Sequence, residues 1–161
     1  MRISVAMDVG APRAAVWEIV TDPARYLHVL HGVTRWEVVS ERDRGIGARY
    51  RTLMHVGSAE VGGLVEVVEW DEPGDVAWHS VTGVDQRGRW RLRERGPSRT
   101  RVELRFAYGI PGGGFFGLVA ERVAAPTVRS NLRRSLQQLK REVEHEELRR
   151  AAARRRATRV A

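Results

Sequence analysis

Apolar and polar residues alternate along most of the first 109 residues, and this period changes near residue 110. At 2–9 the alternation predicts a strand with one buried face. Short clusters rich in Gly, Pro, Asp or Ser then separate six further predicted strands, near 33–42, 46–56, 60–71, 75–82, 86–95 and 99–109. Such spacing is typical of hairpins, so we predict a meandering antiparallel sheet of seven strands.

The last two predicted strands show the clearest division into faces. Trp90 and Leu92 alternate with arginines, and Val102, Leu104 and Phe106 alternate with charged residues. One face of the sheet is therefore expected to be dry and the other wet. In the strand near 60–71 apolar residues occupy both faces, so the pattern does not show which face of this strand is buried.

Two short helices are predicted between the first and second strands. Pro12 suits the first turn of one helix, and Asp22 followed by Pro23 is typical of the start of the next. The expected buried residues of the second helix are Tyr26, Leu27 and Leu30, and Gly32 is expected to end it.

One long amphipathic helix is predicted over about 115–150, after a flexible glycine-rich hinge at 110–117. We expect Pro126 to kink or restart this helix, because proline lacks the amide hydrogen that a helix needs. The apolar stripe predicts that one face lies on an apolar surface, with Val119, Val123, Val128, Leu132, Leu136, Leu139 and Val143 in it.

Strands grouped apart from helices indicate the α+β class, with a seven-stranded curved antiparallel sheet around the long C-terminal helix. A twisted sheet curls, and one helix cannot fill the whole concavity, so a pocket is predicted on the dry face. The predicted lining from the sheet is Tyr50, Met54, Trp78, Trp90, Leu92, Phe106 and Tyr108. The predicted lining from the helix is Leu132, Leu136 and Leu139.

The segment IPGGGFFG at 110–117 adds two candidates, Phe115 and Phe116. It has no G-K-[ST] and follows an antiparallel strand, so a hinge is favoured over a phosphate loop. Two hypotheses stay open for the phenylalanines. They gate the cavity or touch a membrane, or they seal the core.

Composition places the chain among single-domain proteins of a reducing compartment. The length of 161 residues suits one domain, and without cysteine neither disulfides nor thiol chemistry are available. We expect no signal peptide and no membrane span, and we predict a cytoplasmic protein. Arginine is the basic residue almost throughout, with Lys140 the only lysine, which is typical of a GC-rich bacterial genome.

The net charge of +8 is concentrated at the C-terminus. Residues 149–161 hold six arginines and no acid, which leaves +2 for residues 1–148. We therefore divide the chain into a domain at 1–148 and an Arg-rich tail at 149–161 that is expected to fray. The tail is a candidate for weak, salt-sensitive contact with an anionic membrane or a nucleic acid, or it is a solvated end.

Candidate acid–base and metal-binding residues are few. His28 and His31 are three apart on a helix but lack acidic residues at ligand spacing, so no metal site and no cofactor are predicted. His55 or His79 could act as a base beside Tyr50 or Tyr108, or lie exposed on a strand. Glu66 and Glu69 point to opposite faces, so one of them could lie inside. None of these forms a recognisable catalytic constellation.

Four stretches give the chain a resemblance to a known family over about residues 1–146. They are AP-x-x-x-V-W at 11–17 with TDPARYLHVLHGV at 21–33, GIGARYR at 45–51, VVEWDEPGDVAWHS at 67–80 and SRTRVELRFAY at 98–108. In order and spacing they resemble the START-like SRPBCC superfamily, in its polyketide cyclase/dehydrase and lipid transport branch. The resemblance implies a helix-grip fold with a hydrophobic tunnel for a lipid, sterol, quinone, polyketide or hormone. It implies no universal catalytic residue.

Three functional hypotheses follow. The first is a non-catalytic protein that binds or carries a small hydrophobic molecule. The second is an enzyme of the same fold, an aromatase/cyclase or dehydratase acting on a polyketide-like substrate. The third is a module that associates with a membrane or a protein through the tail and the two phenylalanines. The ligand and the oligomeric state are left open.

Overall fold

The computed structural model describes residues 1–109 and 114–160, and the side chains of residues 1–109 and 122–160. Seven strands form one antiparallel sheet in the order β1-β7-β6-β5-β4-β3-β2. The strands are β1 (Arg2–Val9), β2 (Val33–Val38), β3 (Arg49–Val56), β4 (Ala59–Asp71), β5 (Asp75–Gly83), β6 (Asp85–Gly96) and β7 (Arg99–Gly109). The predicted helix-grip fold is confirmed, with the curled sheet holding a long C-terminal helix.

Two short helices connect the sheet's edge strands, β1 and β2. They are α1 (Arg13–Val20) and α2 (Tyr26–Val29), and a 3₁₀ turn at Pro23–Arg25 lies between them. The Asp22 carboxylate accepts a hydrogen bond from the Ala24 amide at 3.0 Å, as expected of a residue at a helix start. Of the three residues predicted to be buried here, Tyr26 and Leu30 are buried, but Leu27 is 48% exposed.

The long helix α3 (Gly114–Val160) extends ten residues beyond its predicted end. It continues through Pro126 rather than restarting there. Packing of Ala125 and Val128 against the cluster around Phe106 holds this part of the helix on the sheet. The tail predicted to fray is helical to Val160, and its side chains beyond Ala151 are exposed.

The strands near the 39–48 loop are shorter than predicted. Gly45 and Gly47 take positive φ angles of 91° and 86°, which only glycine adopts without strain. The Gly47 amide donates to the Val67 carbonyl at 2.9 Å, so the loop turns back onto β4 instead of continuing the ladder.

The uncertain orientation of β4 has a structural cause. The register between β4 and β5 shifts twice, between Leu64 and Val65 and between Val67 and Glu69. Val65 and Val67 are buried, while Val68 is 43% exposed. An added residue in a strand reverses the facing of the residues after it, which is why simple alternation fails here.

The outer face of the sheet carries the charges that the alternation predicts. Asp75 is buried there among three arginines, with Arg93 Nη2 at 2.7 Å, Arg91 Nε at 3.3 Å and Arg89 Nη1 at 3.6 Å from its carboxylate. The inner face forms the core with α1, α2 and α3.

Within the described part of the chain, no helix combines the length and apolarity that crossing a membrane requires.

Candidate functional site: an apolar cavity under the long helix

A cavity of about 600 Å³ lies between the sheet and the part of α3 beyond residue 122. The β3–β4 hairpin, β6 and β7 form its sheet side. The lining residues are Met54, Val56, Gly57, Ser58, Ala59, Val61, Gly62, Val84, Gln86, Phe106, Tyr108, Gly109, Val123, Ala124, Thr127 and Val128. This volume is within the range of pockets that hold small organic molecules.

Small side chains account for much of this space. Glycine, alanine and valine supply most of the described lining, and they leave room that larger residues would fill. Gly62 is required where β4 approaches β3, because a Cβ there would lie 2.0 Å from the Thr52 carbonyl oxygen. The hairpin thus brings its backbone close to the cavity without side-chain bulk.

A smaller space of about 50 Å³ continues inward from the main cavity. The two share Met54, Val56, Gln86, Phe106 and Val128. The inner space also contacts three large residues at the centre of the fold, Trp36, Trp78 and Leu132. The Trp36 and Trp78 rings are perpendicular, with centroids 6.0 Å apart, and close this end.

Exposure of the lining residues defines an inner end and a mouth. Gln86, Phe106 and Val128 are buried, whereas Val123 on α3 is 75% exposed. The hairpin turn at 57–59 is also exposed. The mouth therefore lies between the turn of the β3–β4 hairpin and the side of α3 near Val123.

Gln86 is the buried polar side chain of the main cavity's described lining, with 5% exposure. Its Nε2 donates to Thr52 Oγ1 at 3.4 Å, and Thr52 Oγ1 donates to the Gly63 carbonyl at 3.3 Å. Its backbone amide donates to Ser80 Oγ at 3.1 Å. Among its described lining residues, the buried end of the main cavity thus has one fixed amide group, whereas His31, Asn131 and Ser135 border the inner space.

Charged side chains are absent from the described lining of the main cavity, where Tyr108 is the one ionisable group. The inner space has His31 at its border, whose Nε2 is 3.2 Å from Arg134 Nη1. The candidate bases and acids lie elsewhere. His55 and His79 are exposed, and Glu66 and Glu69 pair with Arg49 and Arg89 on the outer face.

Two buried tyrosines have structural roles. Burial raises the pKa of Tyr26 well above its ordinary value. Burial, with a further contribution from Asp43, raises the pKa of Tyr50 to about 12. Their hydroxyls donate to the carbonyl oxygens of Val20 and Asp43, so both tyrosines remain neutral at physiological pH.

The described residues contain no group of three or more His, Cys, Asp or Glu side chains arranged to hold a metal ion.

The predicted lining residues divide into two groups. Met54, Phe106 and Tyr108 line the main cavity, and Trp78 and Leu132 line the inner space. The other five described candidates are packed in the core and line neither space: Tyr50, Trp90, Leu92, Leu136 and Leu139. These five lie at the end of the sheet against which α1 and α2 pack, and their contact with a ligand stays a prediction. Phe115 and Phe116 lie outside the residues whose side chains are described.

Sequence reasoning missed Gln86 and the small residues of the hairpin. The signal for Gln86 was present, since it lies on the same face of β6 as Trp90 and Leu92 by the period of two. The hairpin residues Ala59, Val61 and Gly62 gave no such signal. Small apolar residues look alike whether they border a cavity or a packed core.

Comparison with known proteins places the fold within a family. No curated protein matches the sequence. Among solved structures, TTHA0849 from Thermus thermophilus superposes with a TM-score of 0.74 at 24% identity, covering 89% of this chain and 97% of that one. Zhui aromatase/cyclase from Streptomyces sp. R1128 gives 0.68 at 22%, with 94% and 95% covered. A START superfamily protein from Mycobacterium smegmatis gives 0.61 at 16%, with 90% and 95% covered.

At these identities the structural likenesses concern the fold. The family follows from the sequence itself, since the family model described as polyketide cyclase / dehydrase and lipid transport matches residues 1–144. That range includes all seven strands, both short helices and the part of α3 that covers the cavity. The chain therefore belongs to the polyketide cyclase/dehydrase and lipid transport family.

Proposed function

We propose that this protein binds and carries a small hydrophobic molecule in the cavity under α3. The observation that carries the proposal is the cavity of about 600 Å³ whose described lining is almost wholly apolar. Transfer of apolar surface from water into such a space is favourable in proportion to the area buried. The exposed residues at the mouth, near Val123, offer a route of entry.

Carriage is favoured over catalysis by the chemistry of the lining. A general acid or base must lie within hydrogen-bond reach of the proton it moves. Among the described lining residues of the main cavity, Tyr108 alone is ionisable, and it stacks on Phe106 with ring centroids 6.0 Å apart. The described lining therefore favours holding an apolar molecule over moving a proton.

The alternative is an aromatase/cyclase- or dehydratase-like enzyme that uses the same cavity. Tyr108 favours this alternative, because a phenol at the cavity wall could donate a proton to a carbonyl group. The fold is shared with Zhui aromatase/cyclase, although the identity of 22% extends the likeness to the fold only.

A fluorescent apolar probe tests binding directly. Wild-type protein is expected to enhance the fluorescence of the neutral probe N-phenyl-1-naphthylamine with one-to-one stoichiometry and a Kd of micromolar order. Ala124→Trp places a large side chain in the cavity from α3, and we expect a folded variant that binds roughly ten-fold more weakly or not at all.

Ala152→Trp is the matched control, since Ala152 is exposed on the same helix beyond the cavity. It should bind as the wild type does. Absence of binding by folded wild-type protein would refute the proposal. Equal loss of binding in both tryptophan variants would place the probe outside the cavity.

Native mass spectrometry separates carrier from enzyme. A co-purified molecule that is recovered chemically unchanged after incubation supports carriage. Conversion of a bound polyketide-like chain, lost in Tyr108→Phe, supports the alternative.

Two further properties remain proposals beside this one: contact of the Arg-rich part of α3 with anionic surfaces, and a cytoplasmic location.

A further inference from the structure

The polar group at the inner end of the cavity determines what kind of ligand fits. This inference rests on the proposed function and refines it. Gln86 is 5% exposed and lines both the main cavity and its inner extension. An apolar ligand that fills either space therefore contacts the Gln86 amide.

The hydrogen bonds around Thr52 orient that amide. The Thr52 hydroxyl has a single hydrogen, and it donates this hydrogen to the Gly63 carbonyl at 3.3 Å. Thr52 Oγ1 can then only accept from Gln86, which it does from Nε2 at 3.4 Å. The flipped amide would set two acceptor oxygens against each other, so the nitrogen is assigned to the Thr52 side.

This orientation leaves Gln86 Oε1 as the acceptor that the cavity presents. Within residues 1–109 and 122–160, Oε1 accepts no hydrogen bond from a neighbouring side chain or amide. An apolar ligand that displaces water from this acceptor without replacing its hydrogen bond pays a cost, and a ligand that supplies a donor avoids this cost. A hydroxyl group on an otherwise apolar molecule meets that requirement.

The charge of the lining excludes the other common polar group of apolar ligands, a carboxylate. The chain holds 27 arginines and one lysine, yet none of them is among the described lining residues of either space. In the main cavity a carboxylate against Gln86 would be buried beside an amide oxygen, with no cationic side chain among the described lining residues, which is unfavourable. His31 borders the inner space and not the described lining of the main cavity.

We propose that the cavity selects neutral apolar molecules with a hydroxyl group, an alcohol or a phenol, whose O–H donates to Gln86 Oε1. Gln86 is then a specificity-determining residue, and Thr52 positions it. Apolar anions of the same size are rejected.

Matched naphthalenes test the proposal on the intact protein. 2-Naphthol and 2-methylnaphthalene have similar shapes, and only the first can donate a hydrogen bond. In Gln86→Leu the ratio of their dissociation constants should shift roughly ten-fold against 2-naphthol, because one hydrogen bond is removed. Gln137→Leu, the same change at an exposed position of α3 that lines neither space, should leave the ratio at its wild-type value.

The outcomes separate this inference from the proposed function. If wild-type protein binds neither naphthalene, the proposed function fails. If it binds both and Gln86→Leu leaves the ratio unchanged, the function stands and the role of Gln86 is refuted. Tight binding of 2-naphthoate by the wild type would also refute the selection of neutral ligands.

A measurement on the wild type covers the case in which Gln86→Leu does not fold. 2-Methoxynaphthalene keeps the oxygen but lacks its hydrogen, and its added methyl group alone should strengthen binding to an apolar cavity. We expect it to bind roughly ten-fold more weakly than 2-naphthol. Equal or tighter binding of the ether would overturn the proposal.

Discussion

The two ends of the space between the sheet and α3 are built from side chains of different size. We call them the packed half, formed by Trp17, Trp36, Trp90, Leu136 and Leu139 with their neighbours, and the open half, formed by the lining of the main cavity. In the packed half, Trp36 contacts three aromatic rings at once, with its centroid 4.4 Å from Tyr26, 5.3 Å from Tyr50 and 6.0 Å from Trp78. In the open half, valines, alanines and glycines face α3.

This difference in side-chain size explains how the same helix and sheet form both a stable core and a cavity. Close-packed large side chains remove apolar area from water in the packed half. This half anchors α3 beyond Leu132, and beside the cavity Ala125 and Val128 hold the helix on the cluster around Phe106. The open half therefore does not need to be filled completely, and substitutions in the two halves should have different consequences.

The largest effect is expected at Leu136, which is 1% exposed in the packed half. Leu136→Ala removes a buried side chain and leaves a void, which should lower the free energy of unfolding by about 2–5 kcal/mol. Val123→Ala, at the exposed cavity mouth on the same helix, should lower it by less than about 0.5 kcal/mol. Urea unfolding of the three proteins measures both values.

Leu136→Trp is the companion substitution. It should overpack the core and destabilise the fold by about 1–3 kcal/mol or more, in contrast to the tolerated Ala124→Trp of the open half. If Leu136→Trp is as stable as the wild type and Leu136→Ala costs little, the packed half contains unfilled space and the comparison fails.

An intermediate effect is expected at Gly88, on the boundary between the halves. A Cβ on Gly88 would lie 2.0 Å from the Trp78 indole, which is itself buried against Trp36. Because Trp78 closes the inner end of the cavity, Gly88→Ala forces the ring to move within packed surroundings. We expect a loss of about 1–3 kcal/mol in the free energy of unfolding.

Gly74→Ala is the control for the general cost of adding a methyl group. A Cβ at Gly74 would make its nearest contact at 3.5 Å, an ordinary van der Waals distance. Its free energy of unfolding in urea should stay within about 0.5 kcal/mol of the wild type. Equal losses in the two variants would mean that the Trp78 contact is not the cause.

The smallest effect is expected where the packed half ends, at Glu144 on α3. Its Oε1 accepts from the Gly10 amide at 2.8 Å and pairs with Lys140 Nζ. Burial raises the pKa of this carboxyl, but the hydrogen bonds from Lys140 and Gly10 outweigh it and hold the pKa below its usual range. A lowered folded-state pKa stabilises the protein above the unfolded-state pKa, and this stability disappears as pH falls through the folded-state value.

Glu144→Gln should therefore cost a few tenths to about 1 kcal/mol at pH 7, and the difference from wild type should disappear as the pH falls through the lowered folded-state pKa of Glu144. Urea unfolding at several pH values measures it. Glu18→Gln, at an exposed position of α1, is the matched control, and its free energy of unfolding at pH 7 should stay within about 0.5 kcal/mol of the wild type. A Glu144→Gln difference that persists unchanged at low pH would show that charge is not its cause.

The local elements could be predicted from the sequence because their signals are local. Period-two alternation located all seven strands, and Asp22-Pro23 located the turn before α2. The errors arise where partners distant in sequence decide the conformation. The positive φ angles of Gly45 and Gly47 and the register shifts in β4 depend on partners elsewhere in the sheet.

For the candidate site, the sequence predicted only the face of the sheet on which it lies. The sequence by itself determined that Trp90, Leu92 and Phe106 share the dry side of the sheet with Gln86, because side chains alternate along strands. Only the tertiary structure decided which of them border the cavity. α1 and α2 cover the Trp90 end, while the Phe106 end meets the small residues of the β3–β4 hairpin. Whether a buried apolar residue is packed or borders empty space depends on the volumes of the side chains around it. These neighbours are distant in sequence and come together only when the chain folds.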